Sequence, residues 1–249
     1  MIKALTNKLK PTRGFAHIIH LGLNVLLPVL AYILVRIDFT ALAILLVLLA
    51  KWRIVAVRPR YWMANIITSS IDIIVSVSLV LFMHDTSVVW WQLFWMGIYV
   101  GWLTYLKPRS DVLSVSAQAM VGQFAGLSVL YLDYGDRSIV LLVILTWAIA
   151  YLSARHFLTS FEEPHAPLLA HVWAYFAAGL AFILGHWLLF YGLIAQIIVL
   201  LTTIGYSLAA IYYLDATDRL TNNIKRQLAA IMLAILVIVI VLSNWTGAA

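Results

Sequence analysis

Long apolar runs recur from one end of the chain to the other, and they decide what it can fold into. "ALAILLVLLA", residues 41–50, contains no polar side chain at all. A run of about 20 such residues is long enough, as a helix, to cross a hydrocarbon core about 30 Å thick. Only 10% of the 249 residues are charged, against about 25% in a soluble domain. Too few charges remain to cover a surface facing water, so the solvent implied by the sequence is lipid. The runs are continuously apolar and do not alternate, which excludes the pattern of barrel strands. The expected fold is therefore all-α: a polytopic transmembrane helix bundle, one integral membrane domain over residues 1–249.

Nine spans are expected, at about 15–35, 38–52, 61–83, 87–106, 111–132, 138–157, 168–190, 193–214 and 228–245. The second is short. With the N-terminus cytoplasmic, fourteen of the sixteen Lys and Arg residues fall in inner segments, and only Arg36 and Arg137 fall outside. That bias is the positive-inside pattern. It places the chain in a plasma (inner) membrane with the C-terminus external. Pro11, Pro59, Pro108, Pro164 and Pro167 all lie in inner segments before odd-numbered spans, where a missing N–H does no harm. Pro28 alone sits within a span and is expected to kink it. Trp52, Trp62, Trp102 and Trp173 are expected at the inner interface, and Trp90, Trp91, Trp187 and Trp245 at the outer one. Residues 1–13 read as a cytoplasmic segment able to lie on the membrane as a short amphipathic helix. A cleaved signal peptide is not expected, because the first run carries His17, His20 and Asn24 and ends at Arg36. "VRPRYW" (57–62) and "LKPRSD" (106–111) echo each other 49 residues apart, as two inner turns of like composition.

The polar residues inside the spans are the functional candidates. Asp72 lies mid-span, where a charged carboxylate costs roughly 2.5–3.5 kcal/mol on insertion scales. Asn65, Ser69, Asp72 and Ser76 recur at helical spacing and form one stripe. The stripe faces protein or trapped water, and Asp72 is placed to take up a proton or cation. His17, His20 and Asn24 form a similar stripe in the first span, as a proton relay or as interhelical hydrogen bonds. Gln123 is expected at the depth of Asp72, as a partner for it, with Gln118 another interhelical hydrogen-bonding group. Gly97/Gly101 and Gly122/Gly126 are GxxxG pairs that let helices approach closely. His186 lies near the outer end of the seventh span.

"ARHFLTSFEEPHAPLLAH" (154–171) is the one inner segment dominated by His and acid. His156, Glu162, Glu163, His165 and His171 make it the candidate loop for a cytoplasmic ligand or partner. His165, His171 and Glu162 are weak metal candidates in a spacing that fits no metal signature; no metal or other cofactor is expected. Without cysteine there is no disulfide and no thiolate chemistry.

No motif in the chain names an activity. Phosphate loops, HExxH, an interior Schiff-base lysine and repeated intraspan arginines are all absent from the sequence. The basic residues form no tract, so nucleic acid is not an expected partner. Three functions remain. The first is a small-solute or ion transporter coupled through Asp72. The second is a non-catalytic scaffold or subunit, with a homo-oligomer or membrane-complex partner. The third is an intramembrane enzyme using residues 156–171. The lipid bilayer is a partner in all three.

Overall fold

The computed structural model describes residues 15–54, 56–135, 137–185, 190–191 and 194–242. Among them are nine α-helices: α1 (Phe15–Arg36), α2 (Thr40–Leu49), α3 (Trp62–His84), α4 (Val89–Gly101), α5 (Val112–Tyr134), α6 (Ile139–Thr159), α7 (Ala166–Gly185), α8 (Gln196–Ala216) and α9 (Asn222–Leu242). α4 runs on into a π-helical turn, Trp102–Leu106. Strands β1 (Phe190–Tyr191) and β2 (Ile194–Ala195) pair antiparallel between α7 and α8. Six helices are long and apolar enough to cross a membrane: α5 to α9, and α3 with the 3-10 turn before it, Pro59–His84. This is compatible with a multi-pass integral membrane protein. α2 has ten residues, about 15 Å at 1.5 Å per residue, or half of a hydrocarbon core. The expected amphipathic segment 1–13, His186, Trp187 and Trp245 lie outside the described residues.

Helix ends obey side-chain chemistry more than hydropathy. Asp111 caps α5 by accepting a hydrogen bond from the Ser114 N–H at 3.0 Å. Ser114, through its hydroxyl and its N–H, holds the Asp111 carboxyl below the ordinary carboxylate range. α9 starts at Asn222, well before the apolar run, because Thr221 Oγ1 accepts the Ile224 N–H at 3.3 Å and extends the helix into polar sequence. Asp38, Glu162 and Asp218 have φ of 62°, 56° and 54°. Each sits just past a helix end, the left-handed position that glycine usually occupies. The residue after each closes a 6→1 bond: Phe39 N–H to Leu34 O, Glu163 N–H to Leu158 O, and Arg219 N–H to Leu214 O. The two echoed turns fold differently. "VRPRYW" forms a 3-10 turn at Pro59–Tyr61, whereas "LKPRSD" ends in the Asp111 cap. α1 continues through Pro28.

The chain divides into two compact units. The first takes residues 1–51 and 79–108. In it α1 packs on α2, α4 and the π turn, over a core that includes Ala31, Val35, Ala43, Val47, Tyr99 and Leu103. Trp102 is 5% exposed in that core. The π turn continues α4 and places Trp102 among these buried residues. Gln92 Nε2 donates to Met83 O (3.2 Å) and Thr86 O (2.8 Å), tying α4 to the end of α3.

The second unit takes residues 52–78 and 109–249. Its most extensive contact joins α6 and α7. α7 buries Ala166, Ala170, Ala174, Ala177, Ala178 and Ala181, a stripe of methyl groups that lets two helix backbones approach closely. α5 packs on α6 and α8, and α9 on α8. Leu127, Leu130, Tyr131, Leu142, Ile198 and Leu201 fill the core where α5 to α8 meet. Tyr131 and Thr146 hydroxyls pair within it at 3.0 Å.

Candidate functional site

Two polar stations lie in the second unit. The first is on α3. Asp72 is half-buried, and the fully buried Ser76 donates to Asp72 Oδ1 at 3.4 Å, one turn on. Ser69 is half-buried on the same stripe. Asn65 turns its amide N–H to Ile54 O at 3.4 Å and so secures the turn that leads into α3. Beside the stripe, Ile71 and Ile74 press into α5 where it has glycine. A Cβ on Gly122 would lie 3.0 Å from Ile71 Cδ1, and one on Gly126 would lie 2.7 Å from Ile74 Cγ2. One expected GxxxG pair thus seats a neighbouring helix. A Cβ on Gly97 or Gly101 would have nothing within 4 Å, so among the described residues that pair seats none. Asn24 is half-buried in α1, in the first unit. His17 and His20 lie in α1 too, where the backbone alone is described.

The second station is on α5. Gln123, 4% exposed, donates from Nε2 to Leu201 O at 3.2 Å. Its Oε1 accepts from the Trp173 indole at 3.0 Å. The expected Gln123–Asp72 pairing is therefore corrected. Successive helical residues point about 100° apart, so with Gly122 against α3, Gln123 faces α7 and α8. Trp173 is thus a hydrogen-bond donor between α7 and α5. Gln118 donates to Arg109 O at 3.0 Å and pairs through Oε1 with His156 Nε2 at 3.1 Å.

The candidate loop does not converge. His156 is in the last turn of α6 and bonded to Gln118. Glu162 is the left-handed residue that ends α6. Glu163 accepts the Tyr212 hydroxyl of α8 and, at 3.3 Å, the His165 N–H. The Tyr212 hydrogen bond, then the His165 N–H and the nearby His165 ring, hold the Glu163 carboxyl below its ordinary range. His171 lies a turn into α7, its ring centroid 4.6 Å from Tyr151, 5.6 Å from Trp147 and 6.2 Å from Tyr175. Among the described residues no group of three or more His, Asp or Glu could hold a metal, so His165, His171 and Glu162 do not form a site.

Between α5, α6, α7 and α8 lies a cavity of about 230 Å³. Phe157, Leu158, Trp173 and Leu208 are among its apolar lining residues, and Gln123, Ser153 and Tyr212 are its polar ones. The Tyr212–Glu163 hydrogen bond stands at its edge, next to the loop that joins α6 and α7. Ser153 gives little signal in the sequence: a lone serine on an apolar helix, three residues before His156. Tyr212 reads as one more aromatic near a helix end. A second hollow, of about 600 Å³, lies between α5, α8 and α9 beside Phe124, Thr202 and Ile231. The chain matches no family model, no curated protein and no solved structure.

Proposed function

We propose that this chain is a multi-pass carrier of a small solute in an inner (plasma) membrane, with its N-terminus cytoplasmic and C-terminus external. Asp72 takes up and releases the proton or cation that drives passage. The observation that carries this reading is Asp72 itself: one half-buried acid on a 23-residue apolar helix, leaning toward a buried serine hydroxyl. An intramembrane acid is costly enough to be functional by default. The Asn65–Ser69–Ser76 stripe supports a polar lane along the same helix. The test is proton entry into proteoliposomes carrying trapped pyranine, under an imposed pH gradient and with a panel of small solutes outside. Asp72→Asn is expected to purify and melt like the wild type while losing solute-stimulated proton entry at least tenfold. Equal entry in both proteins overturns the coupling role.

A second reading, a subunit that docks a partner, is favoured by α9. That helix packs chiefly on α8 and buries Val239 alone among its described residues. A partner or second copy that stays on α9 through purification in mild detergent supports it; a clean monomer opposes it. The enzyme reading gains nothing from residues 156–171, which are spread over two helix ends and a turn.

A further inference from the structure

We infer that the cavity between α5, α6, α7 and α8 is a binding site for a small uncharged ring compound bearing one hydrogen-bond acceptor, held by Ser153. A chain that moves nothing would still bind there, so the site stands apart from the role given to Asp72. Serine and threonine in helices commonly donate back to the carbonyl one turn earlier. Thr68, Thr104, Ser116 and Thr159 do so here, to Ala64, Val100, Val112 and Arg155. Ser153 does not: its hydroxyl is buried and has no hydrogen-bond partner, and the residue lines the cavity. Bilayer lipid offers no water to relieve it. A ligand carrying an oxygen or nitrogen acceptor would.

The rest of the wall sets the remainder of the ligand. Among the described residues no charged side chain lines the cavity, so a charged solute would be desolvated without compensation. Gln123 already bonds Leu201 and Trp173, and Tyr212 already bonds Glu163. That leaves Ser153 as the lining residue with an unsatisfied hydroxyl, matching one polar group on the ligand. An apolar cavity of about 150 Å³ holds benzene; at about 230 Å³ this one holds a six-membered ring and a substituent. Phe157 and Trp173 offer aromatic surface to it. Leu169 and Leu208, also on the wall, are 39% and 49% exposed, so the opening faces sideways and an apolar solute enters from the bilayer.

The test uses the full chain in nanodiscs, with 4-fluorophenol and 4-fluorotoluene as probes read by fluorine NMR and empty nanodiscs as background. The expected result is one saturable 4-fluorophenol site per chain, with 4-fluorotoluene bound about tenfold more weakly. Ser153→Ala is expected to bring the two probes within about twofold of each other. Ala209→Phe, which fills the cavity, is expected to remove saturable binding of both. Melting and size-exclusion profiles check that each variant folds; Ser153→Ala removes one oxygen and carries the test if Ala209→Phe does not fold. Equal affinity for the probes in the wild type, discrimination that survives Ser153→Ala, or no saturable site in the wild type each overturns the inference.

Discussion

Replacing Gln123 by leucine leaves the Trp173 indole N–H inside the bundle without its acceptor. A buried donor with no partner costs about 1–3 kcal/mol. Gln123→Leu is therefore expected to lower the unfolding free energy by that amount, read in mixed micelles by denaturant titration. A change under 0.5 kcal/mol would mean that the indole finds another acceptor. The Glu163–Tyr212 pair makes a prediction in pH. Its folded carboxyl lies below the ordinary glutamate value of 4.5, so its stabilisation is full above pH 4.5 and is lost as pH falls through the lower folded value. Tyr212→Phe removes the hydrogen bond that contributes most to the depression. The wild type is expected to lose more thermal stability than Tyr212→Phe between pH 6 and pH 3. Parallel losses would show that the pair is unformed in the membrane. Both pairs join residues 49 or 50 apart in sequence, which is why neither Trp173 nor Tyr212 reads as a partner from its own neighbourhood.

Helices are the scale at which the sequence is most informative here. The apolar runs locate the helix centres, because a bilayer rewards each run wherever it lies in the chain. The ends depend on other chemistry. The Thr221 cap adds polar residues to α9, and α7 stops at Gly185 ahead of a short β-pair. Which glycines pack is not legible from GxxxG spacing, since the same spacing occurs at Gly97/Gly101 and at Gly122/Gly126. Only the neighbour decides. Gly126→Ala would place a methyl 2.7 Å from Ile74 Cγ2 and 3.2 Å from Ile149 Cγ2, an overpacking expected to cost about 1–3 kcal/mol. Gly97→Ala meets nothing within 4 Å and is expected to be neutral or slightly stabilising. The two variants, compared by thermal unfolding in one detergent, reverse this order only if α3 does not rest on α5. The alanine stripe of α7 was present in the sequence as Ala166, Ala170, Ala174, Ala177 and Ala181, at helical spacing. It gives no hydropathy signal because alanine resembles the residues around it.

For the whole molecule, the charge pattern makes a prediction that the cysteine-free sequence renders simple to test. Single cysteines introduced one at a time need no background substitutions. With nine crossings and the N-terminus inside, Ser87→Cys and Ser138→Cys are expected to react with an impermeant maleimide on intact cells, and Ser110→Cys and Thr221→Cys only after permeabilisation. The reverse pattern would mean that the ten-residue α2 turns back without crossing.

Composition and run length by themselves determined the helical class and the presence of helices long and apolar enough to cross a membrane, because those are properties of local stretches. Asp72 was visible for the same reason: an acid stands out against hydrocarbon wherever its helix packs. Pairing was decided only in three dimensions. Gln123 faces Trp173 instead of Asp72, the acids at 162 and 163 serve a helix end and a tyrosine, and Ser153 stands on a cavity wall. Each of these follows from which helix lies beside which, and a hydrogen bond between distant segments leaves no mark on either segment alone.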